Sequence, residues 1–130
     1  MLRVLKIKGR ALVYVWARDQ NKNNERTSYL KQGGKNEKPS NRATDEDDFK
    51  RVDIEDNVVL PVHSNRKQFR HQDLLVPWKS NTDAGKTSFL RFYHVFEEGE
   101  LESLCSTARN VRIIENYYDQ GNWCCIFEKL

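Results

Sequence analysis

Residues 123–127, near the C-terminus, constrain the fold more than any other part of the chain. Alternate residues of a β-strand point to opposite faces of its sheet. Cys124 and Ile126 therefore share one face, and the tryptophan, cysteine and phenylalanine between and around them share the other. Both faces are apolar, which predicts a central strand in a sheet that is covered on both sides.

The residues before this strand complete a hairpin. Residues 111–118 are rich in β-branched and aromatic side chains, which favour a second strand. Residues 119–122, Asp-Gln-Gly-Asn, carry the chemistry of a tight turn. We predict that the two strands pair antiparallel within a larger sheet.

An amphipathic helix is predicted over residues 97–109. Its apolar residues recur at i, i+3, i+4 and i+7, so they form one stripe that faces a core. The stripe consists of Leu101, Leu104, Cys105 and Ala108. Four glutamates crowd the first turns, where negative charge suits the helix dipole, and Arg109 lies in the last turn. Asn110 is predicted to end the helix.

The N-terminal residues predict a helix followed by a strand. The pattern of residues 2–7 is typical of the end of a helix that stops near Gly9. Residues 11–16 form a continuous apolar run, which is typical of a parallel strand buried on both faces.

Residues 20–57 differ in composition from the segments on either side. Asn, Lys, Asp and Glu dominate, and residues 45–48 are all acidic, so we predict a disordered insertion. Residues 58–62 and 74–78 are short apolar segments, and the proline in each favours extended structure over helix. Outside the insertion we expect three strands and one helix, a piece that would fold loosely in isolation.

The composition is that of a single globular domain. A chain of 130 residues with 38% hydrophobic content can bury one core. The net charge of +3 does not by itself indicate a nucleic-acid partner. No apolar run approaches the roughly twenty residues that span a bilayer, and no signal-peptide pattern is present, so we expect an intracellular protein without a membrane partner.

We predict that the three cysteines are reduced, buried thiols, because their number is odd and they lie in apolar contexts. Cys124 and Cys125 cannot both bind one tetrahedral zinc ion, since adjacent strand residues face opposite ways. Cysteine pairs with the Cys-x-x-Cys spacing do not occur in the sequence. We therefore predict no metal site.

A basic patch follows the first of the short apolar segments. His63, Arg66, Lys67, Arg70 and His71 fall within nine residues that contain no acid. Aromatic residues lie in and near the patch, at positions 69 and 78. Such a patch is either a solvated loop or a binding surface, and the patch alone favours the loop.

The order of these segments resembles that of a known enzyme family. The matching pieces are residues 11–16, 60–63 with Asn65 and Arg66, 73–78, 91–101 and 117–124. In this combination they resemble the C-terminal half of the S-adenosylmethionine-dependent tRNA wobble-uridine methyltransferases of the AlkB homolog 8 and yeast types. By this resemblance, residues 1–130 form a partial methyltransferase domain.

The resemblance implies an α/β fold, the C-terminal part of a doubly wound, Rossmann-like sheet. Residues 11–16 would be its fifth strand, residues 97–109 the helix after it, and the C-terminal hairpin its sixth and seventh strands. In such sheets the seventh strand runs antiparallel between the fifth and the sixth.

The activity implied is methyl transfer from S-adenosylmethionine to the carboxylate of 5-carboxymethyluridine at the tRNA wobble position, giving a methyl ester. The implied partners are tRNA and a small zinc-binding activator protein, and the expected location is the cytoplasm, with the nucleus as a second compartment. The glycine-rich loop and the acidic strand end that hold the methyl donor would lie before Met1, so we expect this chain alone to be inactive. Lys79 departs from the histidine that relatives often carry.

Six residues are candidates for the substrate site on this reading. Arg66 or Arg91 would orient the carboxylate through a planar fork of donors. Trp78 or Tyr93 would stack on the uridine, and His63 and His94 would hydrogen-bond around it. No acid or base is assigned, because a carboxylate is already ionised at pH 7.

Each assignment has a plainer alternative. The arginines could belong to surface ion pairs, the aromatic residues could be packing, and His94 could be a satisfied core histidine. For the whole chain, the alternative is a non-catalytic RNA-binding or protein-interaction module that lacks a cofactor site.

Overall fold

The computed structural model of the protein describes residues 1–31, 51–55, 58–82 and 85–130. The strands in these parts of the chain are β1 (Arg10–Trp16), β2 (Arg51–Glu55), β3 (Val58–Pro61), β4 (Asp73–Thr82), β5 (Gly85–His94), β6 (Val111–Asp119) and β7 (Asn122–Lys129). The α-helices are α1 (Ser28–Lys31) and α2 (Glu100–Ser106). Short 3-10 turns occur at Leu2–Val4 and Lys22–Asn24.

The C-terminal hairpin belongs to a three-stranded sheet in the order β1-β7-β6, which we call the terminal sheet. Both neighbours of β7 run antiparallel to it, with Tyr14 and Tyr117 each opposite Cys124. The predicted hairpin and the predicted central position of the last strand are therefore confirmed. β1, however, pairs antiparallel with β7 and does not show the parallel pairing expected of its apolar run.

The turn of this hairpin requires left-handed backbone. Gln120 and Gly121 have φ of 45° and 88° and connect the paired residues Asp119 and Asn122. Two such residues in succession suit the right-handed twist of the strands. A side chain at position 121 would also displace the Gln20 amide from its buried contacts, so the backbone conformation requires glycine and the Gln20 contacts favour it.

One face of the terminal sheet is covered by α2. Leu101 packs there against the buried Cys125 and Phe127. Leu104 is exposed, contrary to the predicted stripe, because the helix is only seven residues long and Leu101 occupies its inward face. Leu12 and Tyr14 are also exposed, so the prediction that β1 is buried on both faces is wrong for the described chain.

The segment before β1 is not the end of a long helix. A 3-10 turn forms at Leu2–Val4, and Lys8 then takes a φ of 64°. The backbone N–H of Lys8 donates to the carbonyl of Lys129, so the chain already pairs with the last strand before β1 begins. The carbonyls of Leu2 and Leu5 also accept hydrogen bonds from the Lys129 side chain, so contacts with the last strand replace the helix expected over residues 2–7.

Residues 20–31, the beginning of the predicted disordered insertion, include a 3-10 turn, the short helix α1 and three buried residues. Gln20, Thr27 and Leu30 are buried there. The Gln20 side chain donates to the carbonyls of Ala17 and Gly121 at 2.8 and 2.7 Å, and it accepts from the Thr27 hydroxyl at 2.9 Å. These bonds satisfy polar groups in a segment whose composition suggests disorder. Of the remaining insertion, residues 51–55 form β2, and residues 32–50 and 56–57 lie outside the described residues.

The middle of the chain forms two further antiparallel hairpins, β2–β3 and β4–β5. The extended structure expected over residues 58–62 and 74–78 is confirmed, but a ten-residue β5 was not expected. The base of β4–β5 contributes Leu74, Val76 and Val95 to a second core, with Phe69 from the preceding loop.

The described chain is thus a mixed α/β domain that contains more strand than helix. The order of the terminal sheet is compatible with a doubly wound fold, which stays a prediction. Within the described ranges, the helices are too short and too polar to span a bilayer.

Candidate substrate pocket

A pocket of about 370 Å³ opens beside the second core. It lies between the loop that follows β3 and the hairpin β4–β5, with α1 and the end of β1 at its back. We call it the substrate pocket, because it contains four of the six residues predicted for the substrate site. Its lining residues are Trp16, Tyr29, Asn65, Arg66, Val76, Pro77, Trp78, Lys79, Arg91 and Tyr93.

The register of β4–β5 brings the main pocket residues onto one face. Val76 pairs with Arg91, and Trp78 pairs with Phe89. Because side chains alternate along a strand, Arg91 and Tyr93 point to the same face as Val76 and Trp78. The hairpin therefore presents a cation and two aromatic rings side by side.

Arg91 and Trp78 form the cationic wall of the pocket. The Arg91 guanidinium carbon lies 4.0 Å from the centre of the Trp78 ring. A contact of this kind at an exposed site contributes about 0.5–1 kcal/mol. Its main consequence is geometric, because the ring restricts the long arginine side chain and orients its donors before a ligand arrives.

Aromatic rings form the back of the pocket. Trp16 and Tyr93 stack with centroids 5.1 Å apart and planes 22° apart, and Trp16 also lies 5.6 Å from Tyr29 and from Phe69. One face of Tyr93 is therefore in contact with the second core. The packing alternative for Tyr93 holds in part, although its ring also lines the pocket.

Tyr29 and His63 form a hydrogen-bonded pair behind the pocket. The Tyr29 hydroxyl lies 2.9 Å from His63 Nε2, and the His63 ring packs on Phe69 at 4.4 Å between centroids. Burial raises the pKa of Tyr29, and this outweighs the opposing effect of a hydrogen bond from the Arg66 backbone. Tyr29 therefore stays neutral at pH 7 and acts as a hydrogen-bonding group.

The loop that carries Arg66 is anchored to β4 by the residues just before the arginine. The backbone N–H of His63 donates to the carbonyl of Leu75 at 2.7 Å, and the Asn65 side chain donates to the carbonyl of Pro77 at 3.2 Å. Arg66 itself has a φ of 67°, an uncommon conformation for a residue with a side chain. The loop is thus held against β4, and its arginine lines the same pocket as Arg91.

His94 lies outside the substrate pocket. It follows Tyr93 on β5 and so points to the opposite face of the hairpin. Its ring nitrogens lie 2.6 Å from an Asp73 oxygen and 2.7 Å from a Glu100 oxygen. The hydrogen bonds to Asp73 and Glu100 raise the pKa of His94. This histidine joins the base of the hairpin to α2.

Of the six candidate residues, the structure brings Arg66, Trp78, Arg91 and Tyr93 together in the pocket. His63 lies one layer behind them, and His94 is separate. Sequence reasoning missed Tyr29, which it placed in the disordered insertion, and Trp16, which it assigned only to a strand. The sole signal for Tyr29 was an apolar pair, Tyr29 and Leu30, within a polar stretch.

A second cavity, of about 440 Å³, lies near α2 and the C-terminal hairpin. Lys22 extends over the Trp123 ring at 4.2 Å and forms an ion pair with Glu98 at 2.7 Å. The lysine that lines this cavity is therefore already paired with a carboxylate. The substrate pocket, by contrast, is lined by Arg66, Lys79 and Arg91 and suits an anionic ligand better.

The described residues do not form the usual cradle for S-adenosylmethionine. That cradle needs a glycine-rich turn between a strand and the N-terminus of a helix. In the described ranges, α2 is preceded by a single glycine, Gly99, and the turn before it contains none of the others. The same ranges contain no group of three or more His, Cys, Asp or Glu residues arranged to hold a metal ion.

Comparison with known proteins identifies close relatives. No protein-family model matches the chain. Proteins named tRNA (carboxymethyluridine(34)-5-O)-methyltransferase ALKBH8 match it in Macaca fascicularis (38% identity, 99% of this chain), Xenopus tropicalis (38%, 100%) and Mus musculus (34%, 100%). The chain spans only 26%, 22% and 26% of these relatives. The chain is therefore homologous, over nearly its whole length, to about a quarter of the AlkB homolog 8 tRNA methyltransferases, which confirms the resemblance found in its sequence.

Proposed function

We propose that the chain forms the substrate side of a tRNA methyltransferase that acts on 5-carboxymethyluridine at the wobble position. The observation that carries this proposal is the Arg91 side chain stacked on Trp78 at the mouth of the pocket. The names of the relatives supply the reaction, and the pocket supplies groups that match its substrate.

The charge of the pocket favours an anionic ligand. Arg66, Lys79 and Arg91 are among its lining residues, and within the described ranges that lining includes no carboxylate. A planar guanidinium can donate two parallel hydrogen bonds to a carboxylate. The carboxymethyl group is such an anion, whereas unmodified uridine has no charge on its base.

The aromatic residues suit the rest of the nucleoside. An unstacked base can stack on an aromatic ring or on a guanidinium plane. Trp78 is 36% exposed and lies beside Arg91, so a base can reach both groups. Tyr93 limits the depth of the pocket because Trp16 supports it from behind.

Esterification places few chemical demands on these residues. The carboxylate is ionised near neutral pH, so no side chain has to remove a proton. Positioning then provides most of the rate enhancement on this side of the reaction. A neutral Tyr29 paired with His63 fits this role, because it fixes the pocket without acting as a base.

S-adenosylmethionine would supply the methyl group when bound, but the described residues do not account for its binding. Donor binding, the zinc-binding activator partner, and the cytoplasmic or nuclear location remain predictions. Whether this chain alone is inactive also remains a prediction.

Binding of a modified anticodon stem-loop tests the proposal directly. The chain should bind an RNA with 5-carboxymethyluridine at the wobble position more tightly than the same RNA with uridine or with the methyl ester. Arg91→Ala should remove this preference, a loss of roughly ten- to a hundredfold, because hydrogen bonds to charged groups contribute about 1.5–3 kcal/mol. Arg91→Lys keeps the charge but loses the fork, so it should retain only part of the preference.

The matched control is Arg109→Ala, which removes an exposed arginine beyond the end of α2. It should leave the preference unchanged. Equal binding of all three RNAs by the unmodified chain would contradict the proposed substrate.

Catalysis can be tested in a chimera in which residues 1–130 replace the matching segment of the Xenopus tropicalis relative. Arg91→Ala in this chimera should slow methylation of the carboxymethyl RNA while binding of S-adenosylmethionine is unchanged. The second candidate is a non-catalytic RNA-binding module, which the arginines and the exposed Trp78 of the pocket also suit. It predicts RNA binding without any preference for the carboxylate.

A further inference from the structure

Phe89 stands on the same face of the β4–β5 hairpin as the substrate pocket. It pairs directly with Trp78 across the hairpin, and it lies two residues before Arg91 on β5. Its side chain is 55% exposed, and that of Trp78 is 36% exposed. Two large aromatic side chains are therefore available to a ligand at the outer edge of the pocket.

The spacing along β5 suits two neighbouring nucleotides. Residues two apart on an antiparallel strand are separated by about 6.8 Å. Stacked nucleotides advance about 3.4 Å each along one strand, and the bases of two neighbouring nucleotides lie further apart when one of them is splayed out of the stack. The Phe89 position is therefore within reach of the nucleotide next to one bound at Arg91.

The charge near Phe89 favours RNA as the occupant. Arg91 is the next residue on this face, and Arg66 and Lys79 also belong to the adjoining pocket. A strand whose modified uridine occupies the pocket would run its backbone past these cations. Single-stranded RNA is bound by this combination of aromatic platforms and a positive path.

We propose that Phe89 forms a second nucleotide subsite, on which the base adjacent to the modified uridine stacks. This inference rests on the proposed function, because that function makes RNA the ligand of the pocket. The uridine subsite binds the carboxylate. The Phe89 subsite adds affinity that requires a neighbouring base but depends little on which base it is.

The opposite face of the same hairpin provides a matched control. Phe92 is 58% exposed, as much as Phe89, but it pairs with Leu75 and points away from the pocket. If exposure of phenylalanine alone attracted RNA, the two residues would be equivalent. The subsite predicts that they differ.

The test compares short RNAs that all carry 5-carboxymethyluridine: the single nucleotide, a trinucleotide, and trinucleotides with an abasic site before or after the uridine. One of the abasic trinucleotides should bind the chain about five- to tenfold more weakly than the intact one, at the lower end of measured stacking contributions. Phe89→Ala should abolish this difference and leave the affinity for the single nucleotide unchanged. Phe89→Trp should restore the difference, and Phe92→Ala should change neither affinity.

The inference is overturned if Phe89→Ala keeps the full difference, as it would if Phe89 contacted a protein partner, or if Phe92→Ala abolishes it equally. Because Phe89 is exposed, an unchanged melting temperature of the variant separates binding from folding. If the carboxylate preference persists while abasic sites have no effect, the subsite alone fails. If the chain shows no carboxylate preference, or binds none of these RNAs, both the subsite and the proposed function fail.

Discussion

The hairpins β6–β7 and β4–β5 are similar in length and differ in what holds them in place. β6–β7 has a third strand beside it and α2 across one face, and Phe127 is buried between them. β4–β5 forms a sheet of its own, with buried residues at its base and exposed ones further out. A two-stranded hairpin is marginally stable by itself, so its position depends on contacts at one end.

The terminal sheet therefore contributes mainly to stability, whereas the β4–β5 hairpin can present side chains to a ligand. The terminal sheet is held by apolar burial, which tolerates no large loss of volume. The β4–β5 hairpin is held by the second core and by polar contacts such as those of His94. It can therefore expose Trp78, Phe89 and Arg91 to a ligand, because folding does not require their burial.

Truncation of a phenylalanine in each hairpin should give the largest contrast. Phe127→Ala should reduce the free energy of unfolding by about 3 kcal/mol, because it leaves a cavity in the core of the terminal sheet. Phe92→Ala removes a side chain that is 58% exposed and should change the stability by less than about 0.5 kcal/mol. Urea unfolding of both variants measures the difference. Similar losses would show that the two hairpins are stabilised alike.

Removal of the Gln20 side chain should have the next largest effect. Gln20→Ala removes the side-chain partner of the buried Thr27 hydroxyl and of the Ala17 and Gly121 carbonyls, and the Gly121 carbonyl keeps only its bond from the Ala17 backbone N–H, at a cost of about 2 kcal/mol. Asn21→Ala, at an exposed neighbouring position, is the control and should be nearly neutral. If the two variants unfold at the same urea concentration, the Gln20 contacts do not contribute to stability.

The smallest expected effect is a pH dependence that comes from His94. Hydrogen bonds to Asp73 and Glu100 raise the pKa of His94 in the folded protein. The stabilisation they provide is therefore fully present below the ordinary histidine pKa of about 6.5 and is lost as the pH rises through the folded value. The melting temperature should fall over this range, and less so in His94→Gln.

In the terminal sheet, Glu128 is expected to give a pH dependence of stability with the opposite sign. Its burial acts to raise the pKa, but the hydrogen bond from Arg10 and the charges of Arg112 and Lys8 lower it below the ordinary value. This stabilisation is present above the unfolded pKa and is lost as the pH falls through the folded one. Glu128→Gln should therefore reduce the loss of stability in acid and leave the His94 dependence at higher pH intact. If Glu128→Gln changed the pH dependence of stability both in acid and at higher pH, the two effects would not arise from separate residues.

The parts of the fold that could be predicted are those with local signals. The alternation of residues in β7 and the turn at Gly121 are visible in the sequence, and both are confirmed. Tyr29 could not be placed in the same way, because its partner His63 lies 34 residues away. Gln20 likewise looked like the start of a polar loop, since the bond that buries it reaches across 101 residues.

The site residues show the same division. Arg91, Trp78 and Tyr93 were identified through the family resemblance, but their shared face follows from the register of β4–β5. The same resemblance predicts His94 at this site. The alternation of the strand places it on the other side.

The Gln20 amide gives the molecule an unexpected mechanical property. One side chain bonds both to the C-terminal turn at Gly121 and to Thr27, just before the helix that carries Tyr29. A fluctuation that opens the back of the pocket must therefore strip a buried amide of its partners. If the pocket binds RNA as proposed, the bound ligand should stabilise this wall, and amide hydrogen exchange at the turn around Gly121 should then slow.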